Sequence, residues 1–163
     1  MRFAFEQHFA SAPDAVAQAF ADPELYVALQ GLPKLGRPEV VDHTVEGSRV
    51  VLRVRYRFTG ELSSAARAVI DPERLTWVEE ATHDLTNRQV AFTMLPDHYA
   101  DRFRCRGGYV FEPDGDGTVR RSEGELKVRA PLVAGAVERA IVSGLQDHLA
   151  DEVAIVDAFV AGA

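Results

Sequence analysis

An α+β fold is expected from this chain: a curved seven-stranded antiparallel sheet gripping a long C-terminal helix, with two short helices after the first strand. Three patterns carry the expectation. After Pro131 no proline interrupts residues 131–160, and Val137, Ile141, Leu145, Leu149, Val153, Val156 and Phe159 recur at spacings of three and four, one broad apolar face of a helix. Between residues 39 and 130, short alternating runs are separated by Gly, Pro, Asn and Asp clusters, the signature of successive antiparallel strands. Near the N-terminus, two helix-start signals follow a single alternating run. A helix of ~30 residues is a rod of roughly 45 Å; with one apolar face it must lie across something equally long, and a wide sheet supplies that surface.

In order, Arg2–Phe9 places Phe3, Phe5, Gln7 and Phe9 on one side of a strand. Ser11 reads as the N-cap of a helix carrying Val16, Ala19 and Phe20. Asp22 caps a second short helix, with Pro23 in its first turn and Leu25, Tyr26 and Leu29 packing it. Gln30–Pro38 is a loop whose Leu32 and Leu35 either plug the end of the core or gate a pocket. Glu39–Glu46 and Val50–Phe58 form a hairpin about Gly47-Ser48, with Val50, Leu52, Val54, Tyr56 and Phe58 facing one way and Arg53, Arg55 and Arg57 the other. A short helix over Leu62–Ile70 ends at Asp71-Pro72-Glu73. Leu75–Asp84 pairs with Arg88–Leu95, where Val90, Phe92 and Met94 share a face. Arg102–Phe111 pairs with Thr118–Ala130 across a glycine- and aspartate-rich turn, and Gly107-Gly108 marks a bulge.

The chain has 163 residues, of which 47% are hydrophobic, which suits one domain spanning 1–163 with a sizeable core. Its formal charge of −7 argues against nucleic acid as a partner. The one cysteine, Cys105, excludes an intrachain disulfide and reads as a small buried hydrophobe. No run reaches the ~20 apolar residues of a membrane span, and no signal core opens the chain, so a cytoplasmic location is expected. The histidines show no metal-ligand spacing, and no phosphate loop or nucleophile motif is present, so no cofactor or metal is expected.

The element order, together with Ala12-Pro13-Asp14-Ala-Val, Asp22-Pro23 and Val128-Arg-Ala-Pro-Leu-Val133, resembles the START-like (SRPBCC) superfamily. That group includes birch-pollen allergens, lipid-transfer START domains and aromatic polyketide cyclases. These segments look like a bacterial branch known only as a domain of unknown function. The resemblance implies the helix-grip fold, with an apolar ligand cavity between sheet and helix. None of the segments is a catalytic motif.

On a helical wheel, Glu138, His148 and Glu152 fall inside the apolar arc with Ile141, Leu145 and Phe159, while Arg139, Ser143, Gln146, Asp147, Ala150 and Asp157 lie opposite. Buried charge is costly unless paired. His148 and Glu152 are four apart and within reach of each other. They read either as the polar end of a ligand cavity, or as a structural ion pair or side chains snorkelling past the sheet edge. Tyr56, Trp77 and Tyr109, with Phe92 and Met94, suit its wall; with Leu32, Glu138, Ile141, Leu145, His148 and Glu152 they form the candidate ligand-binding set. No residue is assigned as catalytic. Two rows, Arg53/Arg55/Arg57 and Arg102/Arg104/Arg106, read as solvated faces with Glu123 and Glu125 as partners, or as a strip for transient contact with anionic lipid headgroups.

Three functions follow as expectations. The first is binding or transport of a small hydrophobic or amphipathic, lipid-like molecule. The second is a cyclase- or hydratase-type enzyme using His148, with Glu152 or a pocket tyrosine, for proton transfer. The third is a ligand-free protein-interaction module with Leu32 and Leu35 on its surface and no partner named by the sequence.

Overall fold

A computed structural model of the chain describes residues 1–32 and 35–163, with the side chains of Leu35 and Arg37 outside the description. Seven strands make one antiparallel sheet: β1 (Arg2–Phe9), β2 (Leu35–Glu46), β3 (Arg49–Phe58), β4 (Thr76–Asp84), β5 (Gln89–Pro96), β6 (Phe103–Asp114) and β7 (Gly117–Val128). Their spatial order is β1-β7-β6-β5-β4-β3-β2, so consecutive hairpins run from β2 to β7 and the first strand closes onto the last. Two short helices, α1 (Pro13–Phe20) and α2 (Pro23–Ala28), follow β1; a single turn, α3 (Ser64–Arg67), lies between β3 and β4; α4 (Ala134–Gly162) ends the chain.

Strand alternation decides what faces inward. Phe3, Phe5, Gln7 and Phe9 on β1 pair in register with Gly124, Ser122, Arg120 and Thr118 on β7. On the other side, Tyr56, Val54 and Leu52 of β3 sit beside Trp77, Glu79 and Ala81 of β4, which in turn sit beside Pro96, Met94 and Phe92 of β5. α4 lies against β1 and β7, with α1 and α2 beside it. Phe20 joins this core by stacking on Phe111 at 5.4 Å and meeting Phe9 edge-on. Burial of each such side chain contributes about 1.5–3 kcal/mol against chain entropy.

Several expectations are corrected. Ser11 does not cap α1: the N-cap is Ala12, without a side-chain bond, and Ser11 instead donates through its hydroxyl to Asp157 at 3.2 Å. Asp157 therefore belongs to the packed side of α4, where it also accepts from the amides of Ala10 and Ser11. The helix over Leu62–Ile70 shrinks to the one turn of α3, capped by Ser63. α4 begins at Ala134, after a turn over Pro131–Val133 in which Leu132 has φ +64°. No bulge interrupts Gly107-Gly108, which pair in unbroken register with Phe92 and Ala91. Glycine is needed at 107 because a Cβ there would stand 2.2 Å from the Glu123 carbonyl oxygen and 2.7 Å from the Phe92 ring. The register shifts fall in β2 instead.

Candidate functional site

Between the concave face and α4 lies a cavity of about 70 Å³. Phe5, Tyr56, Trp77, Phe92, Met94, Tyr109 and Leu145 line it, and so do Glu79, Arg120, His148 and Glu152. A second cavity of about 40 Å³ is walled by Phe58, Leu75, Cys105, Leu126 and Ile141, and shares Trp77 and Met94 with the first. The single hollow expected from the sequence is thus divided, because aromatic side chains occupy much of the concave face.

The innermost line of α4 is Val137, Gly144, His148, Glu152 and Val156. His148 and Glu152 are 3% and 4% exposed, which excludes snorkelling to water. Glu152 is the hub. Arg120 donates to its Oε1 at 2.6 Å, and Gln7 donates to the same oxygen at 2.9 Å. His148 Nε2 stands 3.6 Å from Oε2. Gln7 also donates to the Leu149 carbonyl, tying β1 to α4. The Arg120 guanidinium lies 4.4 Å from the Phe20 ring centre and 4.9 Å from that of Tyr109, so its charge is sheltered by a carboxylate and two π faces. Removal from water holds the His148 imidazole below its ordinary range, and Glu152 opposes that shift. His148 is therefore neutral at pH 7, with its ring edge-on to Tyr56 at 6.5 Å.

Glu79 enters from β4, half-buried by accessible area yet deep among protein atoms. Desolvation raises its carboxyl to about 7, with Arg120 opposing the shift. Burial likewise raises the phenols of Tyr26, Tyr56 and Tyr109, which stay protonated, and pushes the Cys105 thiol up to about 12, leaving it unreactive. Three polar atoms of the cluster are buried without a hydrogen-bond partner among the described residues: Gln7 Oε1, Arg120 Nε and His148 Nδ1. The Trp77 indole nitrogen, in the wall shared by the two cavities, is another.

Of the candidate ligand-binding set, Tyr56, Trp77, Phe92, Met94, Tyr109, Leu145, His148 and Glu152 line the larger cavity, and Ile141 lines the smaller. Glu138 does not reach either. It accepts from the Val128 amide at 2.9 Å and pairs with the N-terminal ammonium at 3.5 Å, joining the start of α4 to the sheet. Leu32 packs half-buried against the core rather than lining a cavity, and the Leu35 side chain lies outside the described residues. Arg120 and Glu79 escape the sequence reading, which puts Gln7 on the inward side of β1 without a role. Alternation held the signal: counting back from Leu126 in twos reaches Arg120, and counting on from Trp77 reaches Glu79. The arginine row of β3 is solvated and paired, Arg53 with Glu80 at 2.7 Å and Asp42 at 3.5 Å, and Arg55 with Asp97 at 3.4 Å. Glu123 and Glu125 lie on β7, away from this row, and Glu125 stands directly opposite Arg106 of the second row.

A family model described as "Protein of unknown function (DUF2505)" matches residues 4–160. No curated protein matches in sequence. Among solved structures, TTHA0849 from Thermus thermophilus is 20% identical with a TM-score of 0.68, over 99% of this chain and 98% of that one. The Zhui aromatase/cyclase from Streptomyces sp. R1128 is 15% identical with a TM-score of 0.65, over 99% and 93%. Norcoclaurine synthase from Thalictrum flavum is 19% identical with a TM-score of 0.59, over 91% and 83%. At these identities the likeness establishes a shared fold. Among the described residues, no helix is long and apolar enough to cross a membrane.

Proposed function

The chain belongs to the DUF2505 family and has the START-like helix-grip fold, and on that premise we propose that it binds a small hydrophobic or amphipathic molecule between its sheet and α4. One observation carries this reading. An aromatic-walled cavity ends on a buried polar cluster in which two of the lining side chains, Arg120 at Nε and His148 at Nδ1, have no partner for those atoms among the described residues. Buried polar atoms left unpaired cost about 1–3 kcal/mol each, so a guest that bonds to them gains what the fold leaves unsatisfied. The walls supply apolar contact and the cluster supplies orientation. Met94, unbranched and adaptable, borders both cavities and is the side chain most able to yield to a guest.

Native mass spectrometry of protein purified from its own host tests the proposal. The expected result is a protein ion with one small adduct that leaves on denaturation. A bare protein mass, unchanged after incubation with single-ring and short-chain apolar probes, would contradict it.

A further inference from the structure

The inward-facing charges of the cavity do not balance. Arg120 and Glu152 neutralise each other at 2.6 Å. Glu79 has no hydrogen bond or ion pair among the described residues, although it lines the same cavity. Its register fixes it there, between Trp77 and Ala81 on β4 and across from Val54 and Met94. Other ionisable groups around it are already committed or uncharged. His148 is neutral on α4. The phenols of Tyr26 on α2, Tyr56 on β3 and Tyr109 on β6 stay protonated, as does the Cys105 thiol on β6. The cavity thus holds one carboxyl in excess, and its walls are the rings of Tyr56, Trp77, Phe92 and Tyr109.

We infer that the ligand is a protonated amine with a compact apolar body, its ammonium held by Glu79 and its body among Tyr56, Trp77, Phe92 and Tyr109. This rests on the ligand-binding reading above. An ammonium supplies the positive charge that Glu79 lacks, and aromatic faces attract the same cation. A carboxylate guest would meet two acidic side chains, and the one arginine has its charge already matched by Glu152, leaving only its Nε–H to offer. A neutral alcohol gains a hydrogen bond but no ion pair. Size sets the second limit. A cavity of about 70 Å³ is below the ~150 Å³ that accommodates benzene, so the body is no larger than one ring, and it needs Met94 to move toward the neighbouring space. Because desolvation leaves the Glu79 carboxyl titrating at about 7, the arriving ammonium displaces a loosely held proton.

Isothermal titration of the full chain with 2-phenylethylamine, 2-phenylethanol and 3-phenylpropionate, at about pH 7.5 and about pH 5.5, decides the matter. The amine should bind about tenfold or more tightly than the alcohol at the higher pH, and the acid more weakly than either. Amine affinity should fall by roughly tenfold at the lower pH, where Glu79 must first release a proton, while alcohol affinity should hold. Glu79→Gln should remove the amine preference, bringing amine affinity to that of the alcohol measured in the same variant. Equal affinity for amine and alcohol in the wild-type chain would overturn the amine assignment alone, whether or not the variant folds; so would unchanged amine affinity in Glu79→Gln. Failure of all three compounds to bind would overturn it together with the reading it rests on.

Discussion

Replacing Arg120 with Met should destabilise the chain by about 3–5 kcal/mol, because it strands the Glu152 carboxylate in the interior. Adding Glu152→Leu to that variant should recover most of the loss, since the cost lies in an unpaired charge more than in a missing attraction; urea denaturation of both reads the difference. Two further residues give opposite dependences on pH. His83 is 1% exposed, with both ring nitrogens unpartnered among the described residues, and burial lowers its pKa from 6.5 to about 4. The unfolded chain therefore binds the extra proton between those values, and stability contributed by neutral His83 is lost as pH falls from 6.5 to about 4. Glu79 is raised from 4.5 to about 7; its contribution is intact below 4.5 and lost as pH rises toward 7. The two partly cancel in the wild-type chain, so variants must separate them. Glu79→Gln should be more stable than wild type by about 1–3 kcal/mol at about pH 8 and nearly equal at about pH 4. His83→Leu should gain on wild type by a similar amount between about pH 7 and about pH 4.5. Urea melts across that range check both signs.

Among the elements, α4 depends on its ends as much as on its apolar face. Glu138 holds its first turns to β7 and the N-terminus. Asp157 holds its last turns by accepting from the amides of Ala10 and Ser11 and the Ser11 hydroxyl. Asp157→Ala should cost about 1–3 kcal/mol in urea denaturation and raise amide exchange at Ala10 and Ser11, because those donors lose their acceptor. A change confined to surface charge would leave exchange there untouched. These elements also show what a sequence can express. Alternation and the 3.6-residue period are local, so strand faces, the Asp22 cap and the buried placement of His148 and Glu152 could be read directly. The roles of Ser11, Glu138 and Asp157 could not, because each is set by a partner far along the chain: Ser11 meets Asp157 across the β1–α4 contact, and Glu138 meets the N-terminus. Gly107 belongs to the same class. Its need for a missing Cβ arises from the Phe92 ring and the Glu123 carbonyl on neighbouring strands. The alternation that carries Arg120 inward carries the neighbouring Arg121 outward, where it is exposed and pairs with Glu6 and Glu112.

For the molecule as a whole, the sheet is open, and its edges differ. β1 packs in contact with α4, whereas β2 shows Val41 and Val45 on the surface. Two register irregularities in β2 and the charges of Asp42 and Glu46 discourage pairing with another copy along that edge. The concave side is where sheet and helix leave space, and everything proposed about function depends on that space admitting a guest. Trp77 is the single tryptophan and borders both cavities, so its emission reports on them directly. Leu145→Phe puts a larger side chain into the cavity wall without adding a second tryptophan to the signal. Titrating wild type and Leu145→Phe with 2-phenylethylamine should give a saturable shift in Trp77 emission for the first and a loss of about tenfold or more in affinity for the second. No saturable shift in the wild-type chain, or equal affinity in the filled variant, would contradict binding between the sheet and α4.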